Sequence, residues 1–197
     1  MMDRAKKWGL LIASVGLVLT GSAFGESPVK KTRPIGTVEA CLHLLPDEVS
    51  RVLSEQFGDW IVQHSDALSS VAKERWQAER PMECPGIAGG RFISAKSKSL
   101  AVLIVGSGKN KGQARLLSFT QDGANYHMSV LEQISSGAIN YFVHSARTRQ
   151  FFDAASARRF RAAASESVVL FDAGTDEYGV EVYYWTEAGF RHESVDY

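Results

Sequence analysis

Downstream of Cys84 the chain is a succession of short segments rich in β-branched and aromatic residues, each bounded by turn formers. They read "GGRFIS", "LAVLIVG", "ARLLSFT", "YHMSVLE" and "INYFVHS", then "ESVVLFDAG", "GVEVYYWTE" and "AGFRHESV". Runs of this length and composition, closed by Gly, Asn, Asp and Ser, are strands. "LAVLIV" is apolar on both faces, which places it in the middle of a sheet. The last two strands turn near Ala188 and Gly189. Residues 146–165, "ARTRQFFDAASARRFRAAAS", stay open. Their alanines and arginines favour helix, but Phe151, Phe152 and Phe160 make no stripe, so an irregular or extended segment with a short helical turn fits as well.

Before Cys84 the period changes from two to that of a helix. Pro46 suits a first helical position, and Asp47 and Glu48 suit the positive end of the helix dipole. Val49, Val52, Leu53 and Phe57 share one face, and Gly58 stops the run. "DWIVQ" (59–63) reads as a short strand. Ser65 can cap a second helix with Leu68, Val71, Ala72 and Trp76 on one face, ended by Pro81. The expected fold is α+β: an N-terminal helical layer packed on a mainly antiparallel β-sheet, as a single domain over 39–197.

The N-terminus carries Arg4, Lys6 and Lys7, then an apolar stretch from Leu10 to Leu19, then the small residues Ala23 and Gly25. This is the pattern of a secretory signal peptide over 1–25, with Glu26 as the mature start. The apolar stretch is short for a membrane span, which needs about 20 residues, so no stable membrane insertion is expected after cleavage. Residues 26–38, "ESPVKKTRPIGTV", read as a flexible leader. The chain has 22 basic and 22 acidic residues; removing Asp3, Arg4, Lys6 and Lys7 leaves 19 and 21, a net charge of −2. A near-neutral chain has no global field to gather nucleic acid or anionic lipid.

Both cysteines, Cys41 and Cys84, lie in the mature part. In an oxidising compartment they form one disulfide by default. Redox pairs usually sit as Cys-x-x-Cys, and these do not, so the bridge is read as structural.

"LIVGSGKNKGQ" (103–113) has the glycines and lysines of a phosphate-binding loop but neither of its frames. Gly108-Lys109 is followed by Asn110, where Ser or Thr belongs, and Leu103 stands where the first glycine would be. The dinucleotide fingerprint fails because Gly112 comes one residue late. Both motifs also require a helix next, whose N-terminus holds the phosphate, and "QARLLSFT" has β character. A hairpin turn accounts for every residue, and no cofactor is expected.

"GRFISAKSKSLAV", Gly90 to Val102, resembles the calcium-binding turns of integrin-type and VCBS-type β repeats, which run Gly-Asp-Phe-Asn-Gly-Asp-Gly-Lys-Pro-Asp-Leu-Ala-Val. Gly90, Phe92, Leu100, Ala101 and Val102 match as they stand. The ligand positions hold Arg91, Ile93, Ala95 and Ser99, none a carboxylate, and calcium needs charged oxygen ligands. The resemblance therefore implies a β-hairpin here and no bound metal. The order "CPGIAGGRF…LAVLIV" with a later "EVYYW" also resembles small exported bacterial proteins of uncharacterised activity, which implies a compartment and no chemistry.

The five histidines, His43, His64, His127, His144 and His192, lack the spacing of a helical zinc site. His127 and His144 read as partly exposed strand residues. Ser107 lies between Gly106 and Gly108, but Val105 and Lys109 replace the glycines of a nucleophile elbow. Asp172, Asp176 and Glu177 read as a solvated turn, and Arg147, Arg149, Arg158, Arg159 and Arg161 as a solvated basic face. In "EVYYW", alternation assigns Val180, Val182 and Tyr184 to the core and puts Glu181, Tyr183 and Trp185 on the other face. That second set is the candidate binding face, an aromatic platform for a sugar ring or a protein partner.

The sequence thus points to an exported, periplasmic or secreted, binding protein. It is read as non-enzymatic, such as an inhibitor or immunity-type protein, with an envelope protein or glycan as its expected partner and no nucleic acid. A cell-envelope hydrolase acting on glycan or peptide, through residues that meet only in the fold, is the alternative. A purely structural envelope protein is the third class.

Overall fold

The computed structural model of the chain describes residues 36–79, 84–151, 166–174 and 179–196. Among them are three helices, α1 (Val38–Leu42), α2 (Asp47–Gln56) and α3 (Ser70–Glu79). The strands are β1 (Trp60–Val62), β2 (Ile87–Gly90), β3 (Ser99–Gly106), β4 (Ala114–Asp122), β5 (Asn125–Ile134), β6 (Tyr141–Arg147), β7 (Glu166–Asp172), β8 (Gly179–Thr186) and β9 (Gly189–Asp196). The expected signal peptide lies outside the described residues, as do 26–35 of the leader, 152–165, and Asp176 and Glu177.

The strands form two antiparallel sheets, where the sequence reading expected one. β3 is the centre of the first. One edge pairs with β4, Leu103 opposite Leu116, and the other is shared by β1 and β2, with Ile61 opposite Val105 and Ala88 opposite Ala101. β5 continues the sheet beyond β4, after a turn in which Gly123 takes a φ of 62°. The second sheet is the plain meander β6-β7-β8-β9.

Three apolar cores explain the division. Ala101, Leu103 and Leu116 of the first sheet meet Val143, Leu170 and Tyr183 of the second, so the sheets bury one face against each other. The opposite face of the first sheet, with Ile104, Leu117 and Phe119, takes Val49, Leu53 and Phe57 from α2 and its C-terminal end. The opposite face of the second, with Phe142, Phe171 and Tyr184, takes Ala72 and Trp76 from α3. The helices are therefore divided between two outer faces. This is why β3 and β7 are apolar on both sides: a strand covered twice has no wet face to alternate towards.

Local chemistry sets the helix ends. Pro46 is the residue before the first turn of α2 rather than its first residue, and Asp47 and Glu48 occupy that turn. Ser65 lies in a 3₁₀ turn, Ser65–Ala67; the cap of α3 is Ser69, whose Oγ accepts the Ala72 N–H at 3.2 Å. Val71, expected on the buried face, is exposed, because Leu68, Ala72 and Trp76 already define the contact. Gly36 and Thr37, read as leader, belong to the fold. Gly36 lies under the Trp76 ring, where any Cβ would collide, and its carbonyl accepts the Ser65 N–H at 2.7 Å. Thr37 caps α1.

Cys41 and Cys84 are bonded to each other, 43 residues apart in sequence, with both residues buried. Beside both sulfurs lies the carbonyl of Gln63, a fully buried residue whose Nε2 donates to the carbonyls of Ala138 (2.9 Å) and Tyr141 (3.0 Å) at the entry to the second sheet. A buried amide held this way ties the disulfide region to the start of β6. Among the described residues no helix is long and apolar enough to cross a membrane.

Candidate functional site

Five separate segments meet at the end of the first sheet and leave an open groove of about 320 Å³, at the small end of the range for ligand pockets. One wall is the α1–α2 connection, Leu44 and Pro46; the other is Leu100 and Tyr126. Gly89 and Gly90 form the floor. Leu44 is 56% exposed, a large apolar side chain left uncovered beside the opening. The rim carries Arg91 and Lys98, both exposed, and Glu166 from the start of β7.

The sequence places these groups firmly. The strand expected at "GGRFIS" ends at Gly90, and Arg91–Lys98 is a loop. Phe92, fully buried between the sheets, anchors it. Ser94 Oγ accepts the N–H groups of Lys96 (3.3 Å) and Ser97 (3.1 Å) and bonds the Ser97 hydroxyl at 2.7 Å, and the Lys98 carbonyl accepts the Gln121 N–H. Glu166 accepts the Arg91 backbone N–H at 2.7 Å, and Glu48 accepts that of Tyr126 at 3.3 Å. The disulfide is close in sequence to one wall and to the floor: Leu44 follows Cys41 by three residues and Gly89 follows Cys84 by five. Ser99 also borders the groove; it is 2% exposed and its hydroxyl has no hydrogen-bond partner.

The residues singled out in the sequence are distributed elsewhere. Glu181, Tyr183 and Trp185 do share a face of β8, opposite Val180, Val182 and Tyr184, but that face points into the interior between the sheets. Tyr183 is 2% exposed and donates to Glu132 Oε2 at 3.1 Å, so its ring is not a surface on which a sugar could stack. Trp185 is half-buried and packs edge-on against Phe190. Glu181 bonds the Ser194 hydroxyl through Oε1.

The possible catalytic groups are committed to structure. Ser107 donates to the Asp59 carbonyl at 2.7 Å from the β3–β4 turn, which leads into a strand and not a helix. His144, expected to be partly exposed, is buried and stacks on Phe171 at 4.9 Å. Asp172 accepts the Gly174 N–H at 2.8 Å and the Tyr141 hydroxyl. Burial, then that hydrogen bond, pushes the Tyr141 phenol up to about 12. Tyr183 is pushed up further, by burial first and the Glu132 charge second. These are tyrosines held neutral, unsuited to proton abstraction near neutral pH. No group of three or more His, Cys, Asp or Glu among the described residues is arranged to hold a metal ion.

Comparison with protein-family models, with curated proteins and with solved structures finds no match. The functional reading rests on the geometry above.

Proposed function

We propose that the chain is an exported, non-catalytic binding protein that engages an envelope component through the groove between the α1–α2 connection and the β2–β3 hairpin. The observation that carries this reading is the groove itself: apolar walls, a glycine floor and a basic rim. Export is supported by the signal-peptide pattern at 1–25 and by the buried disulfide, a bond that persists in oxidising compartments.

The test has two parts. Fractionation and mass spectrometry of the expressed full chain should find the N-terminus at Glu26 in the periplasm or medium. A photo-crosslinking residue at Leu44 should then capture an envelope component that the same residue at Ala188, on the β8–β9 turn, does not. Gly89→Leu should abolish the capture. Equal labelling from both positions removes the groove from the reading. Turnover of envelope glycan or peptide by the purified protein, lost in Asp172→Asn, would put the hydrolase reading in its place.

A further inference from the structure

We infer that the groove takes a single-chain amphiphilic anion: one acyl chain along the apolar walls, with a carboxylate or phosphate head at the Arg91–Lys98 rim. This inference rests on the groove being the binding site. It adds the chemistry of the occupant.

Charge decides the head group. Arg91 and Lys98, the first and last residues of the β2–β3 loop, both line the groove and form no salt bridge with any described residue. Glu166, the one carboxylate in the lining, already accepts the Arg91 backbone N–H. The rim is left with two cations against one engaged anion. Such a rim attracts an anionic head and repels a cationic one.

Tail selection follows from the floor. A Cβ on Gly89 would meet only Leu100 Cδ2, at 3.8 Å, so a larger side chain there grows into the groove without disturbing the strand.

The experiment is calorimetric titration of the purified, oxidised protein with monomeric decanoate, with monomeric decyl phosphate, and with decyltrimethylammonium. Decanoate should bind with one site per chain, and decyltrimethylammonium should bind at least about tenfold more weakly. Heat with decyl phosphate but not with decanoate would assign the head group to a phosphate; heat with decanoate alone would assign it to a carboxylate. Either supports the proposal. Gly89→Leu should abolish the signal at an unchanged melting temperature. Leu44→Asp, a change at an exposed residue, reads the same groove should that variant fail to fold. Equal binding of anionic and cationic amphiphiles overturns the inference, as does anion binding that survives Gly89→Leu and Leu44→Asp. If neither anion binds while the Leu44 crosslink persists, the amphiphile falls and the binding protein stands.

Discussion

Breaking the Cys41–Cys84 bond should cost a quarter or more of the stability of a typical domain. The bridge closes a loop with a sequence separation of 43. In the chain-entropy model such a loop contributes about 4 kcal/mol at 25 °C by restricting the unfolded state. For a domain of this size each kcal/mol moves the melting temperature by roughly 2–4 °C, so the expected fall is roughly 8–16 °C. Two perturbations separate the crosslink from the packing of the sulfur atoms. Full reduction, verified by thiol titration in denaturant, keeps both side-chain volumes and removes only the bond. Cys41→Ala/Cys84→Ala also empties two buried positions near the Gln63 carbonyl, adding a packing loss on the order of 1 kcal/mol. Scanning calorimetry should therefore rank oxidised above reduced above the double variant. A reduced protein that melts within about 3 °C of the oxidised one would refute the entropic argument. A reduced protein that melts lower yet holds decanoate as tightly would show that the bond stabilises the fold without setting the spacing of the groove walls.

Trp76→Ala should destabilise by about 3–5 kcal/mol in urea titrations, since the 2%-exposed ring joins α3 to the second sheet and covers Gly36; a loss under about 1 kcal/mol would mean that α3 is not held by that contact. Alkaline pH should also unfold the protein earlier than free tyrosine titration alone implies. Tyr141 and Tyr184 are each raised to about 12, by burial first and then by bonds to Asp172 and Glu193. The folded chain holds protons that the unfolded chain releases near 10, so this stabilisation is complete below about pH 10 and is lost as pH rises towards 12. Urea midpoints should fall across that window and fall less steeply in Tyr141→Phe/Tyr184→Phe, in which Tyr183 keeps its raised phenol; a parent midpoint that stays level to pH 12 contradicts the assignment.

The strands were legible because period-two alternation and turn residues are local signals. "LAVLIVG" and "GVEVYYWTE" became β3 and β8 within a residue of their expected ends. The pairing of sheets was not legible. Alternation sorts Glu181, Tyr183 and Trp185 from Val182 and Tyr184, but it does not say what covers each set. The unread signal lay in "VVLF" and "VYYW", as apolar on both faces as "LAVLIV", which fits a second sheet buried on two sides. The groove was invisible for a different reason. Its walls, floor and rim come from residues 44–46, 89–91, 98–100, 126 and 166, and only the disulfide and the two sheets bring them together. A sequence signal for it was present in Gly89-Gly90 beside the basic residues Arg91, Lys96 and Lys98.

The two sheets are also separate in time. The first is complete in sequence by Ile134, with both cysteines and α2 already in place, whereas the second begins at Tyr141. A chain emerging from its N-terminus can pair β3 with β4 and form its covalent bond before any of β6–β9 exists, and such short-range pairing is quick. α3 breaks this order. It is made early, yet the sheet it covers comes last, so Trp76 is left uncovered, as is the Leu103–Leu116 face of the first sheet. A chain paused near residue 134 therefore displays two large apolar surfaces at once, and that pause is the moment at which it most needs a chaperone.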